Sequence, residues 1–122
     1  MAQVLLAGKD WQARALLRAQ LIEEGIGVEA YASVSEAVQA LESSPALPAL
    51  LIADLTASDT PEIDIDLLAG WADEVPTWII ASRTMIIGTD LKGRGFELIL
   101  FRPVDMDELV NQIKKRLEND RG

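Results

Sequence analysis

Three short stretches carry the residues with the most chemistry to offer. Gly8-Lys9-Asp10 follows the apolar run QVLLA, Asp54 closes the apolar run ALLIA, and Arg102-Pro103 follows ELILF. Glycine beside lysine, directly after a strand, suggests a loop that grips phosphate. A Walker-type loop also needs a second glycine and a Ser or Thr after the lysine, and AGKDWQAR has neither. A flavin-phosphate loop would want a run of Ser, Thr and Gly, which that stretch also lacks. Asp54 is the outstanding residue, a charged group at the end of an apolar strand. Burying it is costly without a partner. The alternative is an acid that faces water or caps the next turn.

The elements that must position these residues alternate between two kinds. Residues 3–7, 27–32, 49–55, 77–81 and 97–101 read as short apolar strands. Asp10 suits the N-cap of a helix reaching about Glu24, with Ala13, Leu16, Leu17 and Leu21 as its inner stripe, and Gly25 stops it. Ser33 and Glu36 form a capping box for a short helix with Val34, Ala37, Val38 and Leu41 on one face. Thr60-Pro61 starts a third helix, with Ile63, Leu67, Leu68 and Trp71 facing inward. Asp105 caps the last helix, whose Met106, Leu109, Val110, Ile113 and Leu117 make an amphipathic stripe. A fourth helix, within SRTMIIGTDLKGRGFE, must absorb Gly88, Gly93 and the β-branched Thr84, Ile86 and Ile87, all poor helix formers. Trp11 reads as partly exposed and Trp78 as core.

Five strands alternating with five helices imply a single α/β domain over residues 1–122, a parallel sheet covered by helices on both faces. In such folds sites lie outside the carboxyl ends of the strands. Gly8-Lys9-Asp10, Ala32-Ser33, Asp54-Leu55-Thr56, Ala81-Ser82 and Phe101-Arg102-Pro103 therefore converge on one edge.

Composition narrows the chemistry. Twenty acids against eleven bases give a formal charge of −9. No basic footprint for nucleic acid is visible. The chain has no cysteine and no histidine. Disulfides, thiolate metal sites and histidine-based acid–base chemistry are absent from it. No apolar run is long enough to span a membrane, and the N-terminus lacks a signal-peptide pattern, so a cytoplasmic protein is expected. The acids around the third helix, Asp59, Glu62, Asp64, Asp66, Asp73 and Glu74, read as a solvated face rather than a metal site.

The stretches LLIADL, PTWIIAS and GRGFELILFRPVDMDELV, together with the strand–helix order, resemble a response-regulator receiver domain over essentially the whole chain. The resemblance implies a flavodoxin-like (βα)5 fold with strand order 2-1-3-4-5. It implies that Asp54 holds the phosphoacceptor position. It places the family's Mg²⁺-binding acidic pair on Gly8 and Lys9, its Ser/Thr on Ala81 with Ser82 one place late, and its aromatic on Ile99 with Phe101 two further on. Its lysine falls on Arg102, before Pro103 at the family's cis-proline position. Only Asp54 and Pro103 match cleanly.

Those departures imply a pseudo-receiver that signals by protein contact and needs no cofactor. Mg²⁺ takes oxygen ligands, and glycine and lysine supply none from their side chains. Lys9 is expected to pair with Asp54 and imitate the metal's charge. Asp10 is expected to serve as the helix cap; a one-residue slip would instead leave it as the lone metal carboxylate. Under the alternative reading, a histidine kinase phosphorylates Asp54, with Mg²⁺ on Asp10 and Arg102 in the lysine's role. A flavin or nucleotide binder is a third reading. The resemblance places output contacts on residues 84–101 and the last helix, so Met85, Ile86, Ile87, Leu91 and Phe101 are the candidate contact residues. The partner is a kinase, an output domain, another receiver, or a second copy in a homodimer.

Overall fold

The computed structural model describes residues 2–86 and 91–120. Five apolar runs pair as parallel strands: β1 (Val4–Gly8), β2 (Val28–Tyr31), β3 (Leu50–Asp54), β4 (Thr77–Ala81) and β5 (Leu98–Phe101). Their order is β2-β1-β3-β4-β5, as the sequence reading expects. The chain therefore reverses its direction of winding beside β1, and a crevice opens there between the loops after β1 and β3.

Alternation along the strands builds two cores. Leu5, Ala7, Leu51, Ala53, Ile79 and Ala81 point to one face, which α2 (Val34–Ser43) and α3 (Pro61–Ala69) cover. Val4, Leu6, Leu50, Ile52, Trp78 and Ile80 point to the other, under α1 (Trp11–Glu23) and α4 (Met106–Asp120). Strands β1, β3 and β4 are the solid apolar runs that burial on both faces demands. The two edge strands depart from that expectation. β2 and β5 are only partly buried, because each lacks a neighbour on one side.

The helix boundaries follow their caps. The backbone N–H of Ala13 donates to Asp10 Oδ1 at 3.2 Å. At the other end of α1, Gly25 takes φ +78°, and the N–H of Ile26 returns to the carbonyl of Leu21 at 3.0 Å. Ser33 caps α2 through the N–H of Glu36 at 3.1 Å, while the Glu36 carboxylate reaches back to the N–H of Ala32 at 3.2 Å. Asp105 caps α4 through the N–H of Glu108 at 3.1 Å.

Three expectations need correction. Leu16 is 50% exposed, so α1 buries only Leu17 and Leu21 with Ala13 half-buried. In α3 the inward residues are Ile65 and Leu68, with Trp71 packed on the same core beyond its end, while Ile63 lies 59% and Leu67 36% exposed. The expected helix between β4 and β5 is a 3-10 turn, Arg83–Ile86, among the described residues. Its N–H of Met85 bonds to the carbonyl of Ser82 at 3.1 Å. Gly93 and Gly95 then take φ of +80° and +92°, which no helix continues through.

Candidate functional site

The carboxyl ends of β1, β3 and β5 bring Gly8, Asp54 and Arg102 together. Gly8 lies directly opposite Asp54 in the parallel register. A Cβ built at position 8 would stand 3.3 Å from the Asp54 Cβ, so glycine lets the two strand ends approach closely. Arg14, one turn into α1, donates to the carbonyl of Gly8 at 2.5 Å and ties the end of β1 to the helix.

Asp54 has both oxygens occupied. Its Oδ1 accepts from the backbone N–H of Thr56 at 3.0 Å and from the Thr56 hydroxyl. This closes an Asx-type turn at the start of the β3–α3 loop. Its Oδ2 pairs with the Arg102 guanidinium, and the Asp54 side chain is 16% exposed. The same Arg102 nitrogen lies 3.7 Å from Asp10 Oδ2. Asp10 thus caps α1 with one oxygen and faces Arg102 with the other. One cation bridges two carboxylates, one at the end of β3 and one at the start of α1. The Arg102 Nε is buried and makes no hydrogen bond in the structure.

The expected Lys9–Asp54 pair is not what forms. Lys9 pairs with Asp59, on the exposed β3–α3 loop. Lys9 and Asp59 both line the crevice between the loops after β1 and β3. Arg102, at the end of β5, comes in along the sheet edge and takes the carboxylate instead. The sequence reading placed Thr56 at this edge without a role and read Asp59 as part of a solvated face; the structure makes the first a partner of Asp54 and the second the partner of Lys9. The Asp-x-Thr spacing was an available turn signal for Thr56; Asp59 stood in an acidic run without distinction.

The remaining expected residues separate. Ala81 is fully buried and carries no hydroxyl. The Ser82 hydroxyl lies 3.0 Å from that of Thr84. Ile99 sits opposite Ile79, and Phe101 opposite Ala81, both packed on the α2–α3 core. The guanidinium of Arg83 lies 5.4 Å above the Phe101 ring. The Arg102–Pro103 bond is cis. Leu91 is buried and Met85 packs against the same core, so these two do not form an exposed apolar patch. Ile87 and the Ile86 side chain lie outside the described residues.

A receiver's Mg²⁺ does not fit this donor set. Position 8 has no side chain, Lys9 brings a cation, and Asp54 and Asp10 already face Arg102. Among the described residues no group of three acids is arranged to hold a metal. The crevice beside the site, about 460 Å³, is lined by Lys9, Ser33, Asp54, Asp59, Thr60 and Asp64 among others. A flavin or nucleotide phosphate would meet three carboxylates there, which disfavours the third reading. No helix among the described residues is long and apolar enough to cross a membrane.

No family profile and no curated protein matches the chain. Solved structures do. A response-regulator receiver domain from Clostridium thermocellum superposes with TM-score 0.79 at 15% identity, covering 99% of this chain and 98% of that one. A CheY-like receiver domain from Methanospirillum hungatei gives TM-score 0.79 at 18% identity, with 99% and 97% covered. NtrX from Brucella abortus gives TM-score 0.77 at 19% identity, with 98% of this chain covering 27% of the longer one. The fold of this chain is that of response-regulator receiver domains.

Proposed function

We propose that this chain is an atypical receiver domain of two-component signalling, acting through protein contacts and without phosphoryl chemistry of its own. The observation that carries this reading is the position of Arg102. Its guanidinium already supplies positive charge to Asp54 and Asp10, where phosphoryl transfer would require a metal ion. Asp54 then serves as a structural anion that ties the β3–α3 turn to the end of β5. The partner is a protein: a kinase, an output domain or another receiver. In NtrX the matching region is a minor part of a longer chain, and a receiver covalently joined to its output would suit a contact-based role. A cytoplasmic setting fits this role.

The test is an NMR titration of the labelled chain with Mg²⁺ and then beryllofluoride, an acyl-phosphate mimic. The expected result is no displacement of the amides of Gly8, Asp54, Thr56 and Arg102. Saturable shifts at those amides, spreading to residues 84–101, would instead establish a working phosphoacceptor.

A further inference from the structure

Asp54 and Asp10 are each fixed by a local bond that does not involve Arg102. Asp54 Oδ1 accepts from the N–H of Thr56 at 3.0 Å, and Asp10 Oδ1 accepts from the N–H of Ala13 at 3.2 Å. Each acid turns its other oxygen, Oδ2, toward the same point, and one Arg102 nitrogen sits there. The arrangement is a seat for one cation, built by a turn and a helix cap rather than by the cation itself. Guanidinium is an imperfect occupant. Its Nε is buried and makes no hydrogen bond among the described residues. Its reach is uneven, for the nitrogen pairs closely with Asp54 and lies 3.7 Å from Asp10. Lys9, by contrast, is drawn away to Asp59. The sequence suggests that Gly8 and Lys9, standing where acids would, abolish a cation site. The geometry moves the cause to the residue after β5.

We propose that Arg102 decides whether this edge takes a divalent metal ion: its guanidinium fills a seat that Asp54 and Asp10 would otherwise offer to Mg²⁺. It rests on the reading of this chain as a receiver without phosphoryl chemistry, and adds that the site is closed by one side chain rather than dismantled. Mg²⁺ keeps several of its waters and needs only one or two carboxylates from a protein. The two Oδ2 atoms supply that number. Both acids keep their local bonds when Arg102 is removed, so the seat stays formed. Two cations cannot share it, because their repulsion at that spacing is strong. The tether holds the guanidinium at a high local concentration, and the wild-type seat stays closed to the free ion. An ion held by two carboxylates beside an open crevice binds weakly, with a Kd of about 1 mM once Arg102 is gone.

The experiment is an amide NMR titration with Mg²⁺ alone on the wild type, Lys9→Met, Arg102→Ala, and Arg102→Ala combined with Asp54→Asn. The Arg102 side chain is 35% exposed, so its replacement keeps the fold, which circular dichroism verifies. Arg102→Met, which retains the apolar stem, repeats the test. The expected result is saturable shifts at Gly8, Asp10 and Asp54 in both Arg102 variants, with affinity at least tenfold above that of the wild type and of Lys9→Met. Asp54→Asn on the alanine background removes those shifts. Mg²⁺ also raises the urea midpoint of Arg102→Ala more than that of the wild type, because an ion bound only to the folded state stabilises it. Absence of saturable shifts at those amides in both Arg102 variants overturns the proposal and leaves the contact-based reading standing. Equal binding by Lys9→Met and Arg102→Ala also overturns it, since both cations would then close the site. A wild type that binds Mg²⁺ there as tightly as Arg102→Ala overturns it together with the reading it rests on.

Discussion

Arg102 holds two carboxylates at once, and its side chain is 35% exposed while that of Asp54 is 16% exposed. That is enough burial for the pair to matter and enough water for it to be screened. Replacing Arg102 with Met keeps the stem and removes the charge, leaving Asp54 and Asp10 near each other without a cation. The expected loss is about 1–2 kcal/mol in urea unfolding. Arg102→Lys is expected to lose less, because an ammonium keeps a positive charge beside both acids. Lys9→Met is the control: its partner Asp59 is 81% exposed, so the change stays within about 0.5 kcal/mol. An equal loss at positions 9 and 102 would contradict the assignment. That Asp54 stands out was legible in the sequence, as a charge closing an apolar strand, with burial beside a partner and capping of the next turn as equal alternatives; the structure has both. The partner's identity was not. Lys9 and Arg102 both end strands at the same edge, and which one reaches the carboxylate depends on side-chain direction, which spacing does not encode.

At the scale of elements, caps were legible because they are local: Asp10, Ser33, Glu36 and Asp105 each bond within four residues. The phase of α3 was not. In PEIDIDLLA apolar residues fall at 63, 65, 67 and 68, which supports either Ile63 with Leu67 or Ile65 with Leu68 as the inner pair. Packing against α2 and the sheet chose the second. A contact between elements also escapes the sequence at Glu97. Its carboxylate accepts from Arg116 of α4 and from the Trp78 indole N–H of β4, each at 2.8 Å. The Arg116 hydrogen bond holds its pKa below the usual carboxylate value, against the opposing effect of partial burial. A carboxyl depressed in the folded state stabilises the fold above its unfolded pKa and loses that contribution as pH falls through the folded value. The wild type is therefore expected to exceed Glu97→Gln in stability at neutral pH. The gap narrows below about pH 4.3, the unfolded value. Urea midpoints measured from neutral to acid pH check this, and a gap independent of pH would remove the assigned role.

The whole molecule is two cores on one sheet, and the sequence announced this through β1, β3 and β4, whose alternate residues feed opposite faces. The coupling this imposes is testable. Ile79 belongs to the α2–α3 core and Ile113 to the α1–α4 core, and both are fully buried. Ile→Val at either site removes one methyl group and costs about 0.5–1.5 kcal/mol. The two side chains share no cluster, so the double variant's loss is expected to equal the sum within about 0.5 kcal/mol. Yet neither face can unfold alone, since each would strip one side of three strands that the other face still needs. A single urea transition with unchanged slope is therefore expected for all three variants. A second transition, or a slope that falls in one single variant, would mean that the two faces unfold separately. The shared sheet would then be a scaffold for two weakly coupled layers, and a contact on α1 would leave α3 undisturbed. With one cooperative unit, whatever seats on either face stabilises the whole.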